Sequence, residues 1–428
     1  MPAPARFRGL GRASLVVRVS AVAMMAFFDF FGGSDVWGNV LSLLLFVMFM
    51  LFYPRLIVTQ MLWKLDQSAS FVEGLTKKAK SAVLQRISKN PEPRLAQDVG
   101  NFLEFFAISP ISLDPYGMVS KLGHIMENYE DRFDAFVDDV APKAGREEKE
   151  NIKGGLSGAM SLHGISKLVR HYVELIRKTK NLQLAMVLQM QLPLIERLAA
   201  ALLDGTESLS NGWPIGDSMG PFAVATMMGD AGVREIEKGT VVATRRLAGR
   251  KAFIVKAKGP GSRVGKIDKA IAAIVRRNRI AKIITVDAAV KLEGERTGSV
   301  AEGVGVAMGG VGVERARIEE VIVDRKIPID SIVVKMSQEE AMQPVRAEML
   351  AAIPRVTKLV EERVKATRKP GAVIVIGVGN TSGVGNSRKD VAKAEQLARR
   401  NMAVMRKREQ KLKAEQKRNW LKDLFMGG

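Results

Sequence analysis

The chemistry of this chain has to come from carboxylates, hydroxyls or lysines. It has no cysteine, which excludes disulfides, thiolate metal sites and a thiol nucleophile. Its three histidines, His124, His163 and His171, stand at no ligand-like spacing in the first half. Two aspartates occupy places where an acid needs a reason. In "SNGWPIGDSMGPFAV" (210–224) Asp217 lies in a Gly-Pro-studded turn ahead of a short apolar run. The same order of residues suits an aspartate that caps a helix beginning near Pro221. In "KIITVDAA" (282–289) Asp287 ends a β-branched run, where an isolated carboxylate is costly to bury.

Glycine-rich turns supply the remaining candidates. "KGPGSRVGK" (258–266) is not a nucleotide P-loop, because Pro260 stands where a glycine is required and Ile267 where Ser or Thr would ligate magnesium. Its backbone amides, with Lys258, Arg263 and Lys266 nearby, could still hold an anion such as a phosphate or a peptide C-terminus, which makes Gly259, Gly261, Arg263, Gly265 and Lys266 candidate ligand-binding residues. "AVIVIGVGN" (372–380) brings Gly377, Gly379 and Asn380 to a strand end, as a tight turn or as part of a site, and "GVGVAMGGVGV" (303–313) adds Gly310 and Gly312. Glu293, Glu295 and Glu302 form either a solvated acidic loop or a place for a divalent cation. No metal and no cofactor is expected.

These residues need a scaffold, and the pattern of the second half provides one. "KAFIVKA" (251–257), "KIITVD" (282–287), "DSIVVKM" (330–336) and "GAVIVIG" (371–377) read as strands, and "KIDKAIAAIVRR" as an amphipathic helix with Ile267, Ala270, Ile271, Ile274 and Val275 on one face. Strands alternating with helices predict an α/β domain with a mainly parallel sheet covered on both faces, its ligands at the carboxyl ends of the strands. Residues 59–204 have the three-and-four spacing of a helical domain or stalk, broken by "SPISLDPYG" (109–117) and with Pro193 inside a helix. The expected organisation is an N-terminal segment at 1–35, a transmembrane helix at 36–58, the helical part at 59–204, the α/β domain at 205–388 and a basic C-terminal helix at 389–428.

The transmembrane expectation rests on "VWGNVLSLLLFVMFMLFY" (36–53), which carries no charge and continues into further apolar residues, with Trp37 and Tyr53 placed as interfacial anchors. Arg55, Lys64, Lys77, Lys78 and Lys80 follow it, so the large C-terminal part is expected on the cytoplasmic side of the cell membrane. Residues 14–31 are a weaker apolar stretch, interrupted by Arg18 and Asp29. A formal charge of +21 implies an anionic partner. Lipid headgroups are favoured over nucleic acid, because the Lys- and Arg-dense tail offers only Trp420 and Phe425 for stacking on bases.

Taken in order, "WPIGDSMGP" (213–221), "IVKAKGPGSRVGKIDKAIAAIVRRNRIAKIITVDAA" (254–289) and "GVGVAMGGVGVERARIEEVIVDRKIPIDSIVVKM" (303–336) resemble the spore germination protease family and, more distantly, the hydrogenase maturation endopeptidases. That resemblance implies a three-layer α/β domain and places Asp217 and Asp287 at the positions of the catalytic aspartates. Two carboxylates facing one pocket suit metal-independent acid–base hydrolysis, one holding a proton while the other polarises water. The nickel site of the maturation enzymes is not expected, since no histidine follows His171.

The relatives begin this domain with a strand and a Gly-x-Gly-Asn turn, which "LLDGTESLSNGWPIGD" (202–217) does not provide and 372–380 does. A circular permutation that brings Asn380 close to Asp217 is therefore expected. Over nearly its whole length the chain also resembles an archaeal membrane-anchored family, "domain of unknown function 1512". The expectation is a membrane-anchored, peptidase-like hydrolase acting on a peptide or protein. The alternative is a non-catalytic tethered protein that binds a small anionic ligand or a protein partner.

Overall fold

The computed structural model describes residues 36–108, 117–230, 232–309 and 312–404. The expected segment 1–35, Gly310 and the tail beyond residue 404 lie outside the described residues. Helices come first: α1 (Val36–Ile87), α2 (Pro93–Phe102), α3 (Met118–Val140), α4 (Arg146–Thr179) and α5 (Leu182–Ser210), the last with Pro193 inside it. By compactness the chain divides into two units, one made of 1–68 and 170–192, the other of 69–169 and 193–428.

In the first unit Val58, Leu62 and Leu65 of α1 are buried, as are Val173 and Ile176 of α4 and Ala185 and Leu188 of α5. Asp66 joins two of these helices by accepting from Arg170 at 2.5 Å and Arg177 at 3.1 Å. Earlier in α1 the described apolar side chains between Val40 and Leu56 are all exposed, Met50 by 66%. Such a run gains nothing from water. Among the described residues the helix with the length and apolarity of a membrane span is Leu182–Ser210, in the middle of the chain rather than near its start.

The second unit has a helical layer and an α/β layer. The helical core gathers Val72, Val83, Val99, Phe133, Leu156 and Ala199, with Phe102 stacked on Phe136 at 4.0 Å. After α5 a 3-10 turn (Gly216–Ser218) leads into the short helix α6 (Met219–Met228). Then come β1 (Arg234–Glu237), β2 (Thr240–Leu247), β3 (Arg250–Ala257), α7 (Ile267–Arg277), β4 (Ile280–Val290) and β5 (Val300–Val304). The order continues with α8 (Val313–Arg325), β6 (Ile329–Met336), α9 (Gln338–Met342), α10 (Ala347–Leu350), α11 (Ile353–Lys365) and β7 (Ala372–Gly377). Residues 388–404 are again helical.

The strands form one sheet in the order β1-β2-β3-β7-β4-β6-β5. Its centre, β3-β7-β4-β6, is parallel; β1 and β2 fold back antiparallel on one side and β5 on the other. All four expected strands are present. The three outer antiparallel strands, edges β1 and β5 and the flanking β2, were not anticipated, because "REIE" and "TVVATRRL" mix charges into short runs. The last strand in sequence is inserted between β3 and β4. "AVIVIG" has no polar face, and all six of its residues are buried, so only the middle of a doubly covered sheet suits it. Helix α6, α11 and the 388–404 helix cover one face through Phe222, Val356 and Val391. Helices α7 and α8 cover the other through Ile271, Ile274 and Ile318.

Candidate active site

Helix α6 is apolar on all sides, which suits the position it takes against the middle of the sheet. Its start lies at the carboxyl ends of β4 and β7. A Cβ on Gly220 would strike the carbonyl oxygens of Val286 and Val378. Gly379, at φ +121°, turns so closely over the preceding segment that a Cβ there would strike the Asp217 carbonyl oxygen. Two glycines therefore let three segments meet: the 3-10 turn, the end of β4 and the loop after β7.

The meeting brings Asp217 and Asp287 into one electrostatic environment. Asp217 does not cap α6, which has no side-chain cap; its Oδ2 accepts instead from the backbone N–H of Asn380 at 2.7 Å. Burial raises the pKa of Asp217, and the Asn380 N–H opposes that shift by favouring the charged form. Asp287 is 6% exposed. Its pKa is pushed up to about 7, first by burial and then by the negative charge of Asp217, against a hydrogen bond from Ala288 N–H at 2.7 Å. Asp287 therefore titrates near neutrality, and Asp217 is likewise held above the ordinary carboxylate range. As a whole residue Asp217 is half-buried.

Polar groups surround the acids. Asn380 Nδ2 donates to Ser262 Oγ at 3.0 Å, and Ser382 N–H donates to Asn380 Oδ1 at 2.8 Å. One register back from Asp287, on its face of the sheet, Thr285 and Ser331 share a hydrogen bond of 2.6 Å, and Ser331 also receives Ala307 N–H at 3.2 Å. That contact anchors the 305–309 loop. Ser218 Oγ and Ser382 Oγ are buried and have no hydrogen-bond partner among the described residues. Those hydroxyls keep hydrogen-bonding capacity beside the two loops that carry Asp217 and Asn380.

The 258–266 loop lies in the same neighbourhood through Ser262, and its positive charge is already answered from the helical layer. Glu147 Oε2 accepts from Gly261 N–H at 2.8 Å and from Arg263 at 2.7 Å, while Arg263 reaches Glu150 at 3.2 Å. Lys258 pairs with Glu235 and Lys266 with Glu130, each at 2.7 Å. The Gly259 N–H goes to Asn386 Oδ1 at 3.0 Å, and Gly265 takes φ +75°. A carboxylate of α4 thus sits where an incoming anion would bind. Gly377 packs on Gly220, and Gly312 precedes α8 in a left-handed turn. In the acidic loop Glu295 is bonded to Lys335 and Glu302 to Arg363. Among the described residues no group of three or more potential ligands could hold a metal ion.

Sequence reading passed over three contributors. Lys256 of β3 is fully buried, its ammonium bonded to Asn386 Oδ1 at 2.8 Å and to the Ala257 carbonyl at 3.0 Å, with Asp390 nearby. Burial pushes its pKa down to about 7. A lysine inside a β-branched strand, in phase with Ala252 and Ile254, was the available signal. Asn386, which clamps Gly259 through both its amide atoms, and Glu147, at the start of α4, left no local signal.

Two family models match the chain: the N-terminal domain of DUF1512, a protein of unknown function, over residues 39–212, and the C-terminal domain of the same family over residues 215–385. No curated protein and no solved structure gives a match.

Proposed function

The chain belongs to the DUF1512 family, and from that premise we propose that its α/β layer is an acid–base hydrolase of peptidase type, tethered to a membrane by the first part of α1. The observation that carries the reading is the pair of buried acids near the carboxyl edge, Asp287 titrating near 7 and Asp217 also raised by burial. In the proposed reaction Asp217 accepts a proton from water as it attacks a carbonyl carbon, and Asp287 gives its proton to the leaving amine. Ser262 and Asn380 position the substrate carbonyl. Both partners return to their starting state when the amine departs and the proton passes back from Asp217 to Asp287.

Peptide as the substrate class comes from the resemblance to the germination proteases; that this chain is a circular permutant of their order is supported by the central position of β7 and the Asn380–Asp217 hydrogen bond. The tether is supported by the exposed apolar run between Val40 and Leu56, and the positive charges that follow it favour a cytoplasmic side for the chain beyond it. The test is cleavage of an unstructured peptide library by the full chain in detergent micelles. Turnover lost in both Asp217→Asn and Asp287→Asn supports the reading; turnover retained in either, or absent from the natural chain, overturns it.

A further inference from the structure

At the opposite edge of the sheet, where the strands begin, a groove of about 670 Å³ is lined by Arg276, Arg277, Arg279, Arg325, Lys326 and Lys369. Among the described residues no acidic side chain lines it. The cations come from three separate turns, those leading into β4, β6 and β7, so the concentration of charge is made by the fold and not by one basic run in the sequence. The five on the first two turns are exposed and have no ion-pair partner among the described residues. Arg250 braces the third turn by donating to the carbonyls of Thr367, Lys369 and Gly371, and Lys369 Nζ reaches the Lys326 carbonyl at 3.1 Å.

Basic residues at helix C-termini have an ordinary explanation, the negative end of the helix dipole. Helices α7, α8 and α11 end at this edge, and each offers roughly half a negative charge. Six cations against roughly one and a half opposing charges leave most of the positive charge unanswered. A second observation points the same way. Lys326 holds a left-handed backbone, φ 49°, at the C-cap of α8, where glycine is the residue without steric penalty. Keeping a lysine in that conformation makes sense when its charge is used.

We propose that this groove binds a compact, phosphate-rich anion, as a site separate from the acidic edge. Its volume lies in the range of small-molecule sites, and among the described residues no aromatic side chain lines it for stacking on bases, which argues for a small polyphosphate over a polynucleotide. Guanidinium groups from different turns reach several phosphate oxygens at once, which a single surface lysine cannot do.

The experiment is calorimetric titration of the full chain in detergent micelles with inorganic tripolyphosphate at physiological ionic strength. Saturable one-to-one binding is expected. It should weaken at least about tenfold in an Arg277→Glu, Arg325→Glu double variant, the loss that follows from reversing two charge-assisted contacts. Arg315→Glu, a single charge reversal elsewhere on α8, should leave it within about twofold. Lys326→Gly relieves the left-handed strain and keeps the fold, so a several-fold loss in that variant supports the site even where the double variant misfolds. Absence of binding, equal loss in Arg315→Glu, or an unchanged affinity in Lys326→Gly overturns the proposal. So does an RNA oligonucleotide that binds more tightly than tripolyphosphate through the same arginines.

Discussion

The two edges of one sheet treat charge in opposite ways. At the carboxyl edge a few ionisable groups are withdrawn from water: Asp287 is 6% exposed and Lys256 is fully buried, both shifted to about 7. At the amino edge the arginines of the basic groove stand in solvent. Desolvation makes the first edge energetically costly and chemically responsive, whereas solvation leaves the second cheap to maintain and suited to attraction. The contrast teaches that reactivity and binding are supplied by different physics within one scaffold. The buried edge can exist only because glycines allow close approach, and the solvated edge needs only that turns end near one another.

The largest effect that would break this contrast is expected at Gly379. In Gly379→Ala the new methyl collides with the Asp217 carbonyl oxygen at a positive φ. Chemical denaturation should show a loss of about 3 kcal/mol or more, or no cooperative transition. A neutral result would mean that the acidic edge is not closed by that turn.

Next come the two buried charges, whose effects have opposite signs in pH. Because Asp287 is protonated more readily in the folded state than in the unfolded one, stability falls as pH rises from about 4 to about 7, and the full penalty is present above that window. Asp287→Asn should therefore be more stable than the natural chain at pH 8, by about 2–4 kcal/mol, with the difference gone near pH 4. Lys256 loses its proton more readily when folded, so stability rises as pH climbs from about 7 towards 10.5 and the penalty is full below the window. Lys256→Met should flatten that rise and stabilise most at or below neutral pH, by about 2 kcal/mol after the loss of the bond to Asn386. Denaturant midpoints across pH for both variants read these slopes, and parallel curves would deny the burial of the groups.

The smallest effect is expected at the solvated edge. Arg277→Glu should change stability by no more than about 0.5 kcal/mol while altering anion affinity. A larger loss of stability would show that the arginine is structural and would erase the distinction between the edges.

Much of the architecture was readable from local pattern. The β-branched runs at 251–257, 282–287, 330–336 and 371–377 became β3, β4, β6 and β7, and the apolar face of 267–275 met the sheet as α7. Short edge strands with mixed charge escaped notice, since an edge asks little of its side chains. Within the candidate site, Asp217 and Asp287 could be singled out because an acid beside apolar residues is conspicuous. The charge balance of the 258–266 loop could not, because Glu147 and Glu150, the carboxylates that neutralise Arg263, stand on a helix more than a hundred residues earlier.

What residue order alone determined was the helical first half, the apolar run beginning at Val36, and an α/β second half with two conspicuous acids, one in a turn and one in a strand. All of these follow from side-chain periodicity over a few turns or strands. Only the tertiary structure decided that β7 lies between β3 and β4, that Asn380 meets Asp217, and that three basic turns form one groove. Such juxtapositions depend on how layers stack and on where glycine lets backbones touch, and no local periodicity encodes the distance between residues far apart in the chain.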